Sequence, residues 1–297
     1  MADAIGNKLA KDYHLGVAPA QEGFFVKGLG HCDWGMKNRL SRLFRAESGN
    51  TVMLAFDHGY IMGPTAGLER IDVTIPPLMD AVDVLMGTRG MLRTCISPTV
   101  RTAKCVRVTY DTSVVKEEMS AGGGISCDIE NAIRMNADCM AVQTFIGAPG
   151  ESNSLELLAR TVDAGTRYGI PTLGVVAVGK QMARDEKFFL LATRIVAETG
   201  AQIVKSYYCD GFERVAAACP VPIVIAGGKK LPEDEALTMA YRAIAEGAHG
   251  VDMGRNIFQS ACPMAMTRAI AAVVHQGYTD RQAYELYLDL KRDMENA

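Results

Sequence analysis

The stretch "AQIVKSYYCDGFERV", residues 201–215, decides the fold. Its first half reads as a buried β-strand, with Ile203 and Val204 followed by two aromatic residues. Its fifth residue, however, is Lys205, a side chain seldom fully buried without a reason. The same kind of unit recurs in both directions. Short apolar strands alternate with amphipathic helical stretches, which is the signature of βα units on a parallel sheet. The strands are expected at 51–59, 81–90, 105–110, 138–147, 172–179, 201–208, 222–230 and 250–256. Helical spacing marks 154–169, 188–200, 232–247 and 263–277. The first of these ends in glycine as a helix terminus should, and the third opens with Pro232 and three acids. Eight strands with seven crossovers and a closing helix predict an α/β fold, a (β/α)8 TIM barrel. A doubly wound open sheet is the competing arrangement.

Residues 1–50 precede the first strand as an N-terminal helical extension. Within it, "DWGMKNRLSRLF" (33–44) reads as an amphipathic helix covering the barrel's bottom or meeting another subunit. The barrel then runs over 51–279, and 280–297 forms a charged C-terminal helix with Tyr284, Tyr287 and Leu288 to pack. No linker or low-complexity tract interrupts the chain, so one domain is expected.

Composition narrows the function classes. The chain has 297 residues, 48% hydrophobic and 22% charged, close to an average soluble protein. A net charge of −3 leaves no electrostatic footprint for nucleic acid or anionic lipid. The polar N-terminus has no apolar core of a secretory signal, and no apolar run reaches the length of a membrane span. Eight scattered cysteines without a Cys-x-x-Cys pair read as reduced thiols in a cytoplasmic protein, and no Cys/His cluster has zinc-ligand spacing.

In such a barrel the chemistry belongs at the C-terminal ends of the strands. The sequence offers Asp57-His58-Gly59 after the first strand, Thr88-Arg89-Gly90 after the second and Lys205 in the sixth. Gly227-Gly228-Lys229-Lys230 follows the seventh and Gly254-Arg255-Asn256 the eighth. "AGGKK" alone reads equally as a tight turn with solvated lysines. Its coincidence with Gly254 and Arg255 points instead to a phosphate site, since glycine amides and a guanidinium suit that anion. Lys230 joins that set as a further cation.

Lys205 could be a lysine that snorkels from a strand end beside an acid. A strand residue facing the barrel interior is desolvated, however, and desolvation lowers a lysine pKa and makes the amine a nucleophile toward carbonyls. A Schiff base is the favoured reading. Asp57 reads either as a turn cap or as a proton carrier facing that lysine. His58 reads as a loop-holding histidine or a proton shuttle. Asp252 is a possible ion partner for a lysine.

"LAFDHG" (54–59), "IVKSYY" (203–208), "IAGGKK" (225–230) and "GVDMGRN" (250–256), in this order and spacing, resemble the class I aldolases of the archaeal-type fructose-bisphosphate aldolase family. Longer stretches, "TVMLAFDHGY", "GPTAGLERID", "CPVPIVIAGGKKLPE" and "GVDMGRNIFQS", resemble a thiolase branch of that family. That branch degrades phosphorylated autoinducer-2. The resemblance implies cleavage of 3-hydroxy-5-phosphonooxypentane-2,4-dione with transfer of an acetyl group to coenzyme A, a co-substrate for which the residues carry no separate motif. It places the Schiff-base lysine at Lys205, the strand-one acid at Asp57 and the phosphate loops at Gly227, Gly228, Gly254 and Arg255. It also implies a ring-forming homo-oligomer, with a decamer of two pentamers as one form.

One departure separates the branches. The aldolases carry a tyrosine proton donor at the end of strand five, where this chain reads "VVAVGK" (175–180) with Val178. The thiolase is therefore favoured. A class I aldolase remains the alternative if Tyr207 or Lys180 supplies the missing donor, and a non-catalytic sugar-phosphate-binding barrel is a third reading. No metal is called for, since an iminium serves as the electrophile. The stretch 111–139 looks least like the thiolases and follows strand three, where a loop can set substrate choice.

Overall fold

The apolar runs form strands buried along most of their length, as strands between a barrel interior and a helical shell must be. They are β1 (Thr51–Ala55), β2 (Val84–Thr88), β3 (Ala103–Arg107), β4 (Cys139–Thr144), β5 (Thr172–Val176), β6 (Ile203–Tyr207), β7 (Ile223–Ala226) and β8 (Gly250–Met253). The computed structural model describes residues 13–14, 16–17, 23–116, 123–178 and 183–296.

The eight strands close into a barrel in chain order. All of its pairings are parallel, and β1 completes the ring by pairing both with β2 (Met53 opposite Val84) and with β8 (Leu54 opposite Met253). Closure settles the choice against an open doubly wound sheet.

Local signals set the shell. The helix Glu151–Tyr168 stops at Gly169, which adopts the left-handed conformation (φ 69°) and lies against the backbone of Gly35 and Met36. Asp185 caps the helix Glu186–Glu198 by accepting from the Phe188 amide. The helix Glu233–Ala245 carries three acids in its first turn, which suit the positive end of its dipole. The helix Pro263–Gln276 closes the ring and ends at Gly277. Beyond it, Asp280–Glu295 opens with a capping box between Thr279 and Gln282 and buries Ala283 and Tyr287, while Leu288 stays 44% exposed.

The extension helix Trp34–Leu43 buries Met36, Leu40 and Leu43. Arg39 donates to the Gly169 carbonyl at 3.0 Å, and Arg42 pairs with Asp138. Those partners precede β5 and β4, so the helix lies across the N-terminal mouth. Asp83 pins the same end. It accepts from the Val52 amide (2.7 Å) and from Arg45 Nε (2.6 Å), while His275 bridges Asp83 Oδ2 and Ser48 Oγ at 2.8 Å each. Among the described residues no helix is long and apolar enough to cross a membrane.

Candidate active site

At the opposite mouth, the strand ends gather the polar residues around a cavity of about 200 Å3. Asp57, His58, Arg107, Lys205, Asp252 and Arg255 all line it. Each arrives from a strand or from the three residues that follow one, so a rigid ring fixes their spacing.

Lys205 sits in the middle of β6, paired in register with Val175 of β5 and Val224 of β7. Only 8% of the residue is exposed. Its Nζ lies 2.8 Å from Asp252 Oδ2 and 3.8 Å from Met86 Sδ. Asp252 comes from β8 and is 1% exposed. The Lys205 ammonium is the donor in reach of this carboxylate, through Oδ2, and Oδ1 is buried without a partner. Burial raises the Asp252 carboxyl above the ordinary range; the Lys205 charge opposes that rise only in part, and the Asp57 charge adds to it.

Asp57 stands just past the end of β1, 5% exposed; its Oδ2 accepts from Arg107 Nε at 2.8 Å and lies 2.8 Å from Nη2 in the same ion pair. Burial on its own would raise this carboxyl. The Arg107, Lys205 and His58 charges, with the Arg107 hydrogen bond, reverse the balance and hold it below the usual value. Arg107 ends β3 and is 3% exposed, with its guanidinium 5.2 Å from the centre of the Tyr60 ring. Its Nη1 is buried without a partner.

His58 starts the turn into the short helix Gly59–Met62. Burial lowers its pKa below that of ordinary histidine, and the neighbouring Lys205 and Arg255 charges push the same way against the Asp57 charge. The ring is therefore neutral at pH 7, and its Nδ1 is buried without a partner. Tyr60 donates to Gln143 Oε1 at 3.2 Å, and burial pushes its phenol up to about 12.

Glycines shape the other side. At Gly254 an added Cβ would stand 2.3 Å from the Ala55 carbonyl oxygen and 2.6 Å from His58 Cε1. At Gly227 it would stand 2.9 Å from Asn256 Nδ2, and Gly228 has φ +66°. Asn256, fully buried, clasps this loop: its Nδ2 donates to the Gly227 carbonyl and its Oδ1 accepts from the Leu231 amide, both at 2.8 Å. Arg255 Nε is buried without a partner beside these glycines.

Of the residues expected from the sequence, Lys205, Asp57, His58, Gly227, Gly228, Gly254 and Arg255 come together around this cavity. Lys230 turns away, donating to the Leu231 carbonyl (2.6 Å) and pairing with Glu233 (3.0 Å), and does not line it. The carboxylate touching the Lys205 amine is Asp252, while Asp57 is engaged by Arg107. Val178 occupies the cavity wall after β5, Tyr207 lines the same cavity, and Lys180 lies outside the described residues. Sequence reasoning passed over Arg107 and Tyr60, and named Asn256 only as the end of the run after the eighth strand. Arg107 carried the same signal as Lys205, a cation inside an apolar strand.

The arrangement sets a buried lysine against a carboxylate, with a histidine ring beside them and a glycine loop with one guanidinium on the same cavity. It can form an imine with a phosphorylated carbonyl compound.

Comparison with known proteins agrees with this chemistry. Residues 51–260 match the DeoC/LacD family aldolase profile. The chain is 53% identical over 292 residues to an uncharacterized aldolase of Pasteurella multocida, covering 98% of this chain and 100% of the relative. It is 52% identical over 293 residues to a 3-hydroxy-5-phosphonooxypentane-2,4-dione thiolase of Escherichia coli, with the same coverage. Among solved structures, an archaeal fructose 1,6-bisphosphate aldolase superposes with a TM-score of 0.73 at 23% identity, covering 82% of this chain and 100% of that one. At that identity the likeness speaks for the fold.

Proposed function

Because the chain belongs to the DeoC/LacD aldolase family, we propose that it is a Schiff-base-forming thiolase. In this reading it cleaves 3-hydroxy-5-phosphonooxypentane-2,4-dione and passes an acetyl group to coenzyme A. The observation that carries the reading is the Lys205 amine, buried at the C-terminal rim against Asp252 and next to the glycine–arginine cradle.

The substrate's constitution fits that order. Its phosphonooxy group is on C5, and the cradle of Gly227, Gly228, Gly254 and Arg255 takes it, with backbone amides and Arg255 Nε as donors. The C4 carbonyl, one carbon away, meets Lys205. Nζ adds to C4, and loss of water leaves an iminium. Asp252, whose carboxyl is raised by burial, holds the proton exchanged at Nζ and at the departing oxygen.

The thiol sulfur then adds to C2. Neutral His58 accepts the thiol proton, and collapse of the adduct breaks the C2–C3 bond. The bonding pair moves to C3 and is delocalised into the C4 iminium as an enamine. C3 takes up a proton, and water hydrolyses the remaining imine to free Lys205. The products are acetyl-coenzyme A and a three-carbon hydroxyketone phosphate, and the thiol proton ends on C3. Asp57, kept ionised by Arg107, orients the C3 hydroxyl by accepting its O–H.

The test is to incubate the protein with the dione and coenzyme A and to measure both products. Equal yields of acetyl-coenzyme A and hydroxyketone phosphate support the reading. Cleavage that yields free acetate irrespective of coenzyme A would move the assignment to a hydrolytic carbon–carbon cleavage, with water as the acyl acceptor.

A further inference from the structure

The rim carries a second cavity that lies beside the Lys205 cavity. It measures about 500 Å3 and sits under the segments that follow β1, β2 and β3. That volume is in the range of small-molecule sites. Asp57, Tyr60 and Arg107 line both cavities, so these three side chains form the partition between them. Leu68, Ile71 and Met91 give the second cavity an apolar wall, and Arg89 and Gly90 stand where β2 passes into the helix Arg89–Cys95. Arg107 Nη1, buried and unpartnered, belongs to the partition itself.

We infer that this second cavity is the entry site of the thiol substrate, and the inference rests on the thiolase reading above. The amine and the phosphate cradle occupy the arc from β6 to β8. An imine anchored there by its phosphate end has its acetyl end directed away from that arc, toward the opposite side of the ring, where β3 carries Arg107. The partition of Asp57, Tyr60 and Arg107 stands on that side. A thiol reaching C2 from the second cavity approaches the acetyl carbon without crossing the phosphate or displacing Lys205. The apolar wall suits the long, flexible arm of a pantetheine-type thiol, and Arg89 supplies positive charge toward the phosphates of its nucleotide carrier. Tyr110 and Ser126, from the two-stranded ribbon of Thr109–Tyr110 with Gly124–Ile125 and the turn after it, also line this cavity. Ser126 comes from the stretch 111–139, which looks least like the thiolases in sequence, and Tyr110 immediately precedes it, so part of that divergence adjoins the second cavity.

Gly90 lines the cavity and a Cβ there meets nothing within 4 Å, so a bulky side chain can be placed at its edge without a clash. For Gly90→Trp we expect the KM for coenzyme A to rise at least about tenfold. The rate at which borohydride traps the dione on Lys205 in the absence of coenzyme A should stay at the native value. Arg89→Ala should raise the KM for coenzyme A more than that for pantetheine, which lacks the nucleotide phosphates. A native KM for coenzyme A in Gly90→Trp overturns the inference, as does an unchanged coenzyme A to pantetheine ratio in Arg89→Ala. Loss of trapping in Gly90→Trp would give the cavity to the ketone instead and also overturns it. No trapping in the native protein would remove the thiolase reading itself, which keeps the two failures apart.

Discussion

Replacing Lys205 by Met and Asp252 by Val together should leave the barrel at least as stable as the native chain, although each change alone weakens it. The Asp252 side chain has no exposed surface and that of Lys205 is 11% exposed, with 2.8 Å between the charges. Beyond the Lys205 ammonium itself, no hydrogen bond to Asp252 among the described residues offsets the desolvation of this pair. Breaking a buried pair from one side costs about 3–5 kcal/mol, because the surviving charge stays buried. In Lys205→Met the loss is limited by protonation of Asp252, whose carboxyl already lies above the ordinary range. A value near 3 kcal/mol is therefore expected for that variant. Exchanging both partners for apolar side chains is commonly neutral or stabilising by about 1–4 kcal/mol. The coupling between the two sites should thus exceed about 3 kcal/mol, the upper end for ordinary neighbours. Urea unfolding of the four proteins at pH 7, followed by far-ultraviolet circular dichroism, measures it. A double variant less stable than either single one would refute the reasoning, since the ion pair would then be a source of stability rather than a group kept for chemistry.

Gly254→Ala sets a Cβ 2.3 Å from the Ala55 carbonyl oxygen, so the β1–β8 seam must shift. A loss of about 1–3 kcal/mol and a raised KM for the phosphorylated ketone are expected, and native values for both would contradict the cradle. Asp83 is held below the ordinary carboxylate range: burial opposes ionisation, but His275, the Val52 amide and Arg45 outweigh it. Its contribution is present above the unfolded value of about 3.9 and is lost as pH falls through the depressed folded value. Urea midpoints from pH 2 to 7 should therefore fall less steeply at the acid end in Asp83→Asn, and an unchanged acid slope would count against the clasp.

The barrel was legible because strands and helices alternate with distinct signals. Gly169 and Gly277 end helices as C-terminal glycines should, and the apolar runs mark all eight strands. Within each strand the sequence was less informative. Strands buried on both faces lose the two-residue alternation, so "CVRVTY" did not reveal that Arg107 ends β3 at the same mouth as Lys205. The Asp57–Arg107 and Lys205–Asp252 pairs depend on how strands far apart in the chain meet around the ring, information that no local pattern carries. Lys230 shows the opposite limit. Its place after two glycines suggested an anion ligand, but Glu233 three residues on supplies a closer charge. Asn256 stood in the run after the eighth strand, but its role in clasping Gly227 and Leu231 was not legible, because it exists only once β7 and β8 are neighbours.

The central claim is that Lys205 is the covalent nucleophile. It is tested most directly by borohydride reduction in the presence of the dione, followed by intact-mass and peptide analysis of the native protein and of Lys205→Met. The account predicts one substrate-sized adduct, carried by the peptide containing Lys205 and absent from the variant. An adduct on another lysine, or none at a pH where imines form, would contradict it.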